Sequence, residues 1–356
     1  MNLTQLRAQI DKVDEQLLSL LNERTALAEE VGQIKRGSGQ QVFAPEREEM
    51  LLQRLEKLNN GRLSKFALRA IYREILSASR QNQKQIKVAY LGPEATNTHQ
   101  AALDRFGACD LYQPYRSIPD IFAAVRREEA DMAVVPIENS IEGAVNATLD
   151  ALVDSDLFVC GEIYLQIKHV LVSQTSDSPI EIIYSHPQAL GQCRQWLIDH
   201  YPNAQQVEVS STSEGAKRAK LELHAAAVTT SFAANFYGLT VRHRNIQDAA
   251  RNQTRFLILS RHAVPPSKGD RTSVIFAVPH KVGALSAVLA ILAERKLSLL
   301  KIESRPATGR FWEYLFFVDL EGHSEQQPLR EALESVRSQT LWLKILGSYP
   351  QTNVNV

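Results

Sequence analysis

The spacing of apolar residues changes twice along the chain. From Leu3 onward they recur at helical intervals, through Leu6, Ile10, Val13, Leu17, Leu21, Ala28 and Val31. This pattern predicts one helix from about Thr4 to Lys35, on the order of 48 Å long at 1.5 Å per residue. A lone domain of about 80 residues is only about 25–30 Å across, so such a helix would project with its apolar stripe uncovered. An intertwined dimer is the expected remedy. Two further helices are predicted, over 45–58 and 64–83. After the polar stretch QNQKQ (81–85) the pattern becomes strands alternating with helices: IKVAYL, MAVVPI, HVLVS, IEIIYS, QVEVS, AAAVTT and RFLIL. That order predicts an α/β domain with a mostly parallel sheet, whose ligands lie at the carboxyl ends of strands. HAVPPSKGD (262–270) reads as a linker with few packing contacts;. The tail then runs RTSVIFAV, ALSAVLAILAERK, LSLLKIES, WEYLFFVDL, a helix over 328–338, and LWLKILG. This is the βαββαβ order of a small ferredoxin-like α+β module. The chain is therefore expected to be multi-domain: all-α over 1–85, α/β over 86–262, and α+β over 271–350.

Composition narrows the function classes. The 356 residues exceed one ordinary core;. Lys plus Arg and Asp plus Glu number 40 each, and zero net charge leaves no electrostatic footprint for nucleic acid or an anionic membrane;. Cys109, Cys160 and Cys193 are odd in number and far apart, which points to a reducing compartment rather than a disulfide frame or a zinc site;. The N-terminus lacks a signal-peptide pattern, and no stretch is long and apolar enough to span a membrane, so a cytoplasmic location is expected. Without HExxH, GxGxxG or a Walker loop, neither a metal nor a nucleotide cofactor is expected.

Two constellations carry candidate chemistry. With Leu17 at the centre of the first helical stripe, Arg24 falls within about 20° of it and Lys35 almost on it, while Arg7 lies about 80° away on the flank. Cations at stripe centres are uncommon, because an unpaired buried cation is costly. They could snorkel or pair with Glu46 and Glu48. Together with Arg47 and Glu48 opening the next helix, and with Ser79 and Gln83 one turn apart, an anion site is about as good a reading. The second constellation is a set of strand-to-helix turns: YLGPEATNT, VPIENSIEG, YSHPQALGQ and SSTSEGAK. Each places a small polar residue at a helix N-terminus, where free N–H groups attract anions. Ordinary capping explains any one of them, and Ser211 with Glu214 is a capping box. Four in one sheet favour a shared carboxylate-binding cleft. RNQTRFLIL (251–259) crowds polar groups at the mouth of a buried strand and could bring a hydroxyl and a cation to the edge of that cleft.

These segments also carry a family resemblance. LRAQIDKVDEQLLSLLNER, EVGQIK and PEREE resemble the all-helical chorismate mutase family. The resemblance implies a site of Arg7 (donated across the dimer), Arg24, Lys35, Arg47, Glu48, Ser79 and Gln83. Arg forks would take the two substrate carboxylates, Lys35 and Gln83 would face the ether oxygen, and Glu48 would accept the substrate hydroxyl. Ala44 stands where some members have a carboxylate. VPIENSIEGAVN and NQTRF resemble prephenate dehydratase over most of 87–261, which implies two α/β lobes around a cleft, like a periplasmic binding protein. Thr254 is then the implied main catalytic residue. Thr96, Glu138, Asn139, Ser140, Ser185, Gln192 and Thr212 are implied to line the cleft. Arg255 joins them more as an orienting cation than a catalyst. At EATNT, Ala95, Asn97 and Thr98 depart from the Gly, aromatic residue and Ser usual in that family. GALS and ESRP resemble the ACT regulatory domain, which implies a phenylalanine site of Gly283, Ala284, Leu285 and Ser286 with Glu303, Ser304 and Arg305, closed by a neighbouring subunit. The whole chain thus resembles enzymes that turn chorismate into prephenate and then phenylpyruvate under phenylalanine control, without cofactor, as homodimers or larger homo-oligomers. A mutase fused to prephenate dehydrogenase would need a dinucleotide-binding turn, which YLGPEATN is not. A non-catalytic amino-acid sensor has no need of Arg24, Lys35 and Thr254.

Overall fold

The computed structural model describes residues 1–38, 43–249, 251–306 and 314–352. Its residues form two compact units, Met1–Lys87 with Arg105–Leu111, and Val88–Asp104 with Tyr112–Val356.

The first unit holds α1 (Leu3–Ser38), α2 (Pro45–Leu58) and α3 (Lys65–Gln83). The 36 residues of α1 extend about 54 Å at 1.5 Å per residue. Ser64 caps α3 by accepting from the Ala67 N–H, and Pro45 occupies the first turn of α2, where its missing N–H costs nothing;. Residues 1–23 are exposed throughout, and the stripe residues Leu3, Ile10, Val13, Leu17 and Val31 have no cover in the single chain. Only from Arg24 onward does α1 begin to be covered, packing on α3. At Gly32 a Cβ would stand 2.6 Å from Gln83 Cγ, so the glycine lets the end of α3 come close.

The second unit begins with a lobe of β1 (Lys87–Leu91), α4 (Asn97–Phe106), β2 (Leu111–Tyr115), α5 (Ile118–Arg126), β3 (Met132–Asn139), β4 (Gly143–Ala144), α6 (Asn146–Asp154) and β5 (Phe158–Gln166). A second lobe follows: β6 (His169–Ser173), β7 (Ile182–Ser185), α7 (Pro187–Gln192), α8 (Arg194–His200), β8 (Gln205–Glu208), α9 (Thr212–Ala219), β9 (Ala225–Thr230), α10 (Ser231–Tyr237) and β10 (Thr240–Arg244). The chain then returns to the first lobe as β11 (Gln253–Ser260). The two lobes are as the resemblance implies, but the expected mostly parallel sheet is replaced by two mixed ones, ordered β2-β1-β3-β11-β5 and β10-β6-β9-β7-β8. The reason is topological. The chain leaves the first lobe along β5 and comes back along β11, so β11 runs antiparallel to both β5 and β3.

The tail is β12 (Asp270–Ala277), α11 (Ala284–Glu294), β13 (Leu299–Pro306), β14 (Tyr314–Glu321), α12 (Leu329–Gln339) and β15 (Trp342–Pro350), with sheet order β13-β14-β12-β15. Trp312 and Glu313, which open the predicted strand WEYLFFVDL, lie outside the described residues.

The expectation of a loosely tethered tail is corrected by the packing. One face of its sheet, with Val274, Phe276 and Val318, covers the tail's own helices through Val288, Leu292 and Leu333. The other face, with Ile275, Phe317, Leu346 and Tyr349, packs into the first lobe's core against Ile137, Leu149, Val159 and Leu257. At Gly347 a Cβ would stand 2.1 Å from the Val159 carbonyl oxygen, so only glycine lets the two backbones meet;. Cutting the chain after His262 would uncover this face and take from Arg255 its Asp319 and Tyr349 partners. We expect the truncated protein to lose the dehydratase activity that the resemblance implies, along with any control by the tail. Calorimetric unfolding beside a dehydratase assay checks this, and a truncated chain with full turnover contradicts it.

Candidate functional site

The first unit gathers cations around the junction of its helices. Arg24 is half-buried on α1, and its Nη1 donates to Ser79 Oγ on α3 at 2.5 Å. Ser79 in turn donates to the Ile75 carbonyl. Lys35 is also half-buried, and burial pulls its ammonium below the usual lysine range while Glu46 and Glu48 push it back up. Arg36 Nη1 donates to the Gln83 carbonyl oxygen at 2.6 Å, which ties the end of α3 to α1. Arg7 and Arg47 are exposed. Arg24, Lys35, Ser79 and Gln83 thus sit where α1 meets the other helices. Arg7 lies on the fully exposed part of α1.

Glu48 is committed elsewhere in the unit. Its Oε1 accepts from Arg80 at 2.5 Å and its Oε2 from Arg105 at 2.8 Å. Burial alone would raise its carboxyl, but Arg105 and Arg80 outweigh that and hold it low. At Asp110 burial outweighs the pull of Arg80 and raises its carboxyl. Each oxygen of Glu48, the expected acceptor of a substrate hydroxyl, thus already accepts from one guanidinium. Sequence reading missed Arg80 and Arg105. A charged residue on the buried face of α3 was the available signal for the first, and nothing local marked the second.

In the second unit, a run of side-chain hydrogen bonds links Thr254 to the second lobe. Register pairs Thr254 with Asn139 on β3, and Asn139 Nδ2 donates to Thr254 Oγ1 at 2.9 Å and to Asn252 Oδ1 at 2.8 Å. Asn252 Nδ2 donates across to Gln192 Oε1 in the second lobe at 2.8 Å. Ser140 is tied to the start of β11, its Oγ accepting from the Gln253 N–H at 2.9 Å. Thr96 caps α4, accepting from the His99 N–H and donating to the Leu91 carbonyl. Ala95, just before it, has φ +61°, in the left-handed region that glycine enters without strain;. Thr212 opens α9 and is half-buried. Ser185 is fully buried and donates to the Val228 carbonyl at 2.6 Å, so its hydroxyl serves the second lobe's interior.

Glu138 and Arg255 engage the tail. Lys301 Nζ on β13 lies 2.6 Å from Glu138 Oε2. Strand alternation turns Arg255 away from Thr254, and it is buried with Nε on Glu162 (2.9 Å), Nη1 on Asp319 (2.6 Å) and Nη2 on the Tyr349 hydroxyl (3.0 Å). Its guanidinium is thus occupied by protein groups. Lys301 was not anticipated, since only the register of β13 brings it to Glu138.

In the tail, Gly283 has φ +80° and caps α11. Together with Ala284, Leu285 and Ser286 it lines a cleft of about 320 Å³, along with His280, Tyr314 and Phe316. Glu303, Ser304 and Arg305 do not line that cleft. Arg305 instead donates to the Asn146 carbonyl at 2.9 Å and pairs with Asp150.

Comparison with known proteins bears on each part. A chorismate mutase type II model matches residues 6–84, a prephenate dehydratase model 88–264 and an ACT domain model 272–338. The bifunctional chorismate mutase/prephenate dehydratase of Aquifex aeolicus is 44% identical over 354 residues, covering 98% of each chain. That of Pseudomonas aeruginosa is 40% identical over 97% of each. A solved prephenate dehydratase from Arthrobacter aurescens, in complex with L-Phe, matches with TM-score 0.68 and 35% identity over 75% of this chain and 90% of that one. With all three models in this order and whole-length similarity at this level, the chain belongs to the bifunctional chorismate mutase/prephenate dehydratase family.

Proposed function

We propose that the first unit rearranges chorismate to prephenate, and that the second removes water and carbon dioxide from prephenate to give phenylpyruvate. The rearrangement is pericyclic. It needs no nucleophile, only a compact conformer and a partner for negative charge growing on the ether oxygen. Arg24 and Arg47, with Arg7 from a second copy, bind the carboxylates. Lys35 and Gln83 face the ether oxygen, and Ser79 orients Arg24. Glu48 holds Arg80 and Arg105 and thereby the shape of the site. A second copy lying along α1 would cover its exposed stripe, where each Leu or Ile fully buried contributes about 1.5–3 kcal/mol. The working form is therefore a homodimer or larger, in the cytoplasm.

In the dehydration, the electron pair of the breaking carboxylate bond moves into the ring and the ring hydroxyl departs. Hydroxide leaves poorly, so a placed donor is required. Thr254 supplies it, while Thr96, Asn139, Ser140, Gln192 and Thr212 surround the substrate. Ser185, Glu138 and Arg255 act as supports of that cleft. The observation that carries this reading is Asn139 donating to Thr254 Oγ1, which leaves the hydroxyl hydrogen for the substrate. A coupled assay with chorismate alone, followed by phenylpyruvate absorbance, tests it. Prephenate accumulating without phenylpyruvate would refute the second site.

The tail senses phenylalanine. Its carboxylate lies against the N-terminus of α11, with Glu303, Ser304 and Arg305 arriving from a neighbouring subunit. Gly283→Val strains a left-handed backbone and places a side chain in the cleft;. Calorimetry should show phenylalanine binding by the intact chain and at least about tenfold weaker binding by the variant. Equal binding by both rules the cleft out.

A further inference from the structure

We propose that His169 and Asn252 are positioning residues of the dehydration site, members of a hydrogen-bond relay of fixed direction that runs from one lobe to the other. The proposal rests on Thr254 being the donor to the leaving hydroxyl. The direction of the relay follows from its first member. Asn139 Oδ1 accepts from the backbone N–H groups of Ile141 (3.0 Å) and Glu142 (3.2 Å). That fixes which end of the Asn139 side chain is the amide nitrogen. Both nitrogen hydrogens are then used, one on Thr254 Oγ1 and one on Asn252 Oδ1. Because Asn252 Oδ1 accepts, its Nδ2 must be the end that donates to Gln192 Oε1.

Gln192 Oε1 also lies 2.9 Å from His169 Nε2. An amide oxygen only accepts, so Nε2 carries a hydrogen and the imidazole tautomer is set. His169 is 3% exposed, and its Nδ1 is buried with no hydrogen-bond partner. A second proton there would be an uncompensated buried charge, and burial lowers the pKa of this ring accordingly;. The ring is thus a neutral Nε2–H donor.

Two consequences meet at the cleft. The Thr254 oxygen is engaged as an acceptor, and no acceptor among the described residues takes its hydrogen. The Gln192 oxygen is saturated by Asn252 and His169, so its NH₂ group is the end left to donate. A flipped Gln192 would place its NH₂ against the Asn252 donor, and a flipped Asn252 would place its NH₂ against the Asn139 donor;. The relay also joins the lobes. Asn139, Asn252 and Thr254 belong to the first, while Gln192 and His169 belong to the second. Asn252 and His169 need not touch substrate themselves.

The test compares two substitutions that separate shape from hydrogen bonding, in the full-length protein. His169→Gln keeps a nitrogen donor near the position of Nε2 but loses the ring. His169→Phe keeps the ring and loses the donor. A packing role predicts that Phe is better tolerated. The relay predicts the reverse: prephenate turnover by His169→Phe falls on the order of tenfold or more, while His169→Gln recovers most of it. Mutase activity is unchanged in both. Asn252→Asp keeps the acceptor for Asn139 but cannot donate to Gln192, and it should show a similar fall if His169→Phe does not fold. Phe equal to or better than Gln, or an Asn252→Asp enzyme with wild-type turnover, overturns the relay. If the unaltered chain fails to dehydrate prephenate, it is the assignment of the site, not the relay, that has failed.

Discussion

Thr254→Val lowers prephenate dehydration by roughly 10²-fold or more and leaves the chorismate rearrangement untouched. Valine has nearly the shape of threonine, so the buried end of β11 keeps its packing. What disappears is one oxygen with two jobs. It accepts from Asn139 Nδ2 at 2.9 Å, and its hydrogen is the donor proposed for the leaving hydroxyl. Losing the first leaves an amide hydrogen unmatched in a site where Thr254 is only 9% exposed. Losing the second removes help to the poor leaving group. Thr254→Ser keeps both functions and should retain most of the turnover, which separates the hydroxyl from the methyl. The measurement is phenylpyruvate formation from added prephenate, beside chorismate consumption by the same sample. Near wild-type dehydration by the Val variant would make Thr254 an ordinary strand residue and remove the basis of the dehydration site.

Arg24→Ala has the opposite selectivity. It should abolish chorismate rearrangement, at a cost on the order of 3–5 kcal/mol for losing one desolvated charged contact to a carboxylate. Dehydration of added prephenate should persist. Arg24 lies in the first unit and Thr254 in the second, so the two activities should fail independently. Arg24→Lys should recover little, because an ammonium cannot reproduce the two-pronged grip of a guanidinium on a carboxylate. Ser79, at 2.5 Å from Arg24 Nη1, is the group proposed to aim that grip. Parallel loss of both activities in a protein that remains folded and associated would mean that the sites are not separate.

Periodicity alone determined much of this protein, because local burial patterns follow from chain geometry. The 3.6-residue stripe that begins at Leu3 foretold α1, and its lack of cover in the single chain follows from length alone, since no small domain reaches along about 54 Å;. The βαββαβ order of the tail was equally legible. So were the polar residues at the start of β11, because a hydroxyl at the mouth of a buried strand is unusual wherever it occurs.

What the tertiary structure decided involves partners distant in sequence. That Glu48 is filled by Arg80 and Arg105, and Arg255 by Glu162, Asp319 and Tyr349, depends on which buried charges the fold happens to bring together. A strand period says that Arg255 and Thr254 point to opposite faces, but not what waits on either face. The antiparallel return of β11 was hidden because periodicity carries no direction, and only the crossing between lobes sets it. The docking of the tail did leave a trace. RTSVIFAV is apolar on successive residues rather than alternate ones, the mark of a strand buried on both faces, and its second face is covered by the first lobe;. His169 left no such trace. Its role comes from an orientation handed through Asn139, Asn252 and Gln192, residues whose separation along the chain exceeds any local pattern, and only folding both lobes onto one another makes that orientation a single answer.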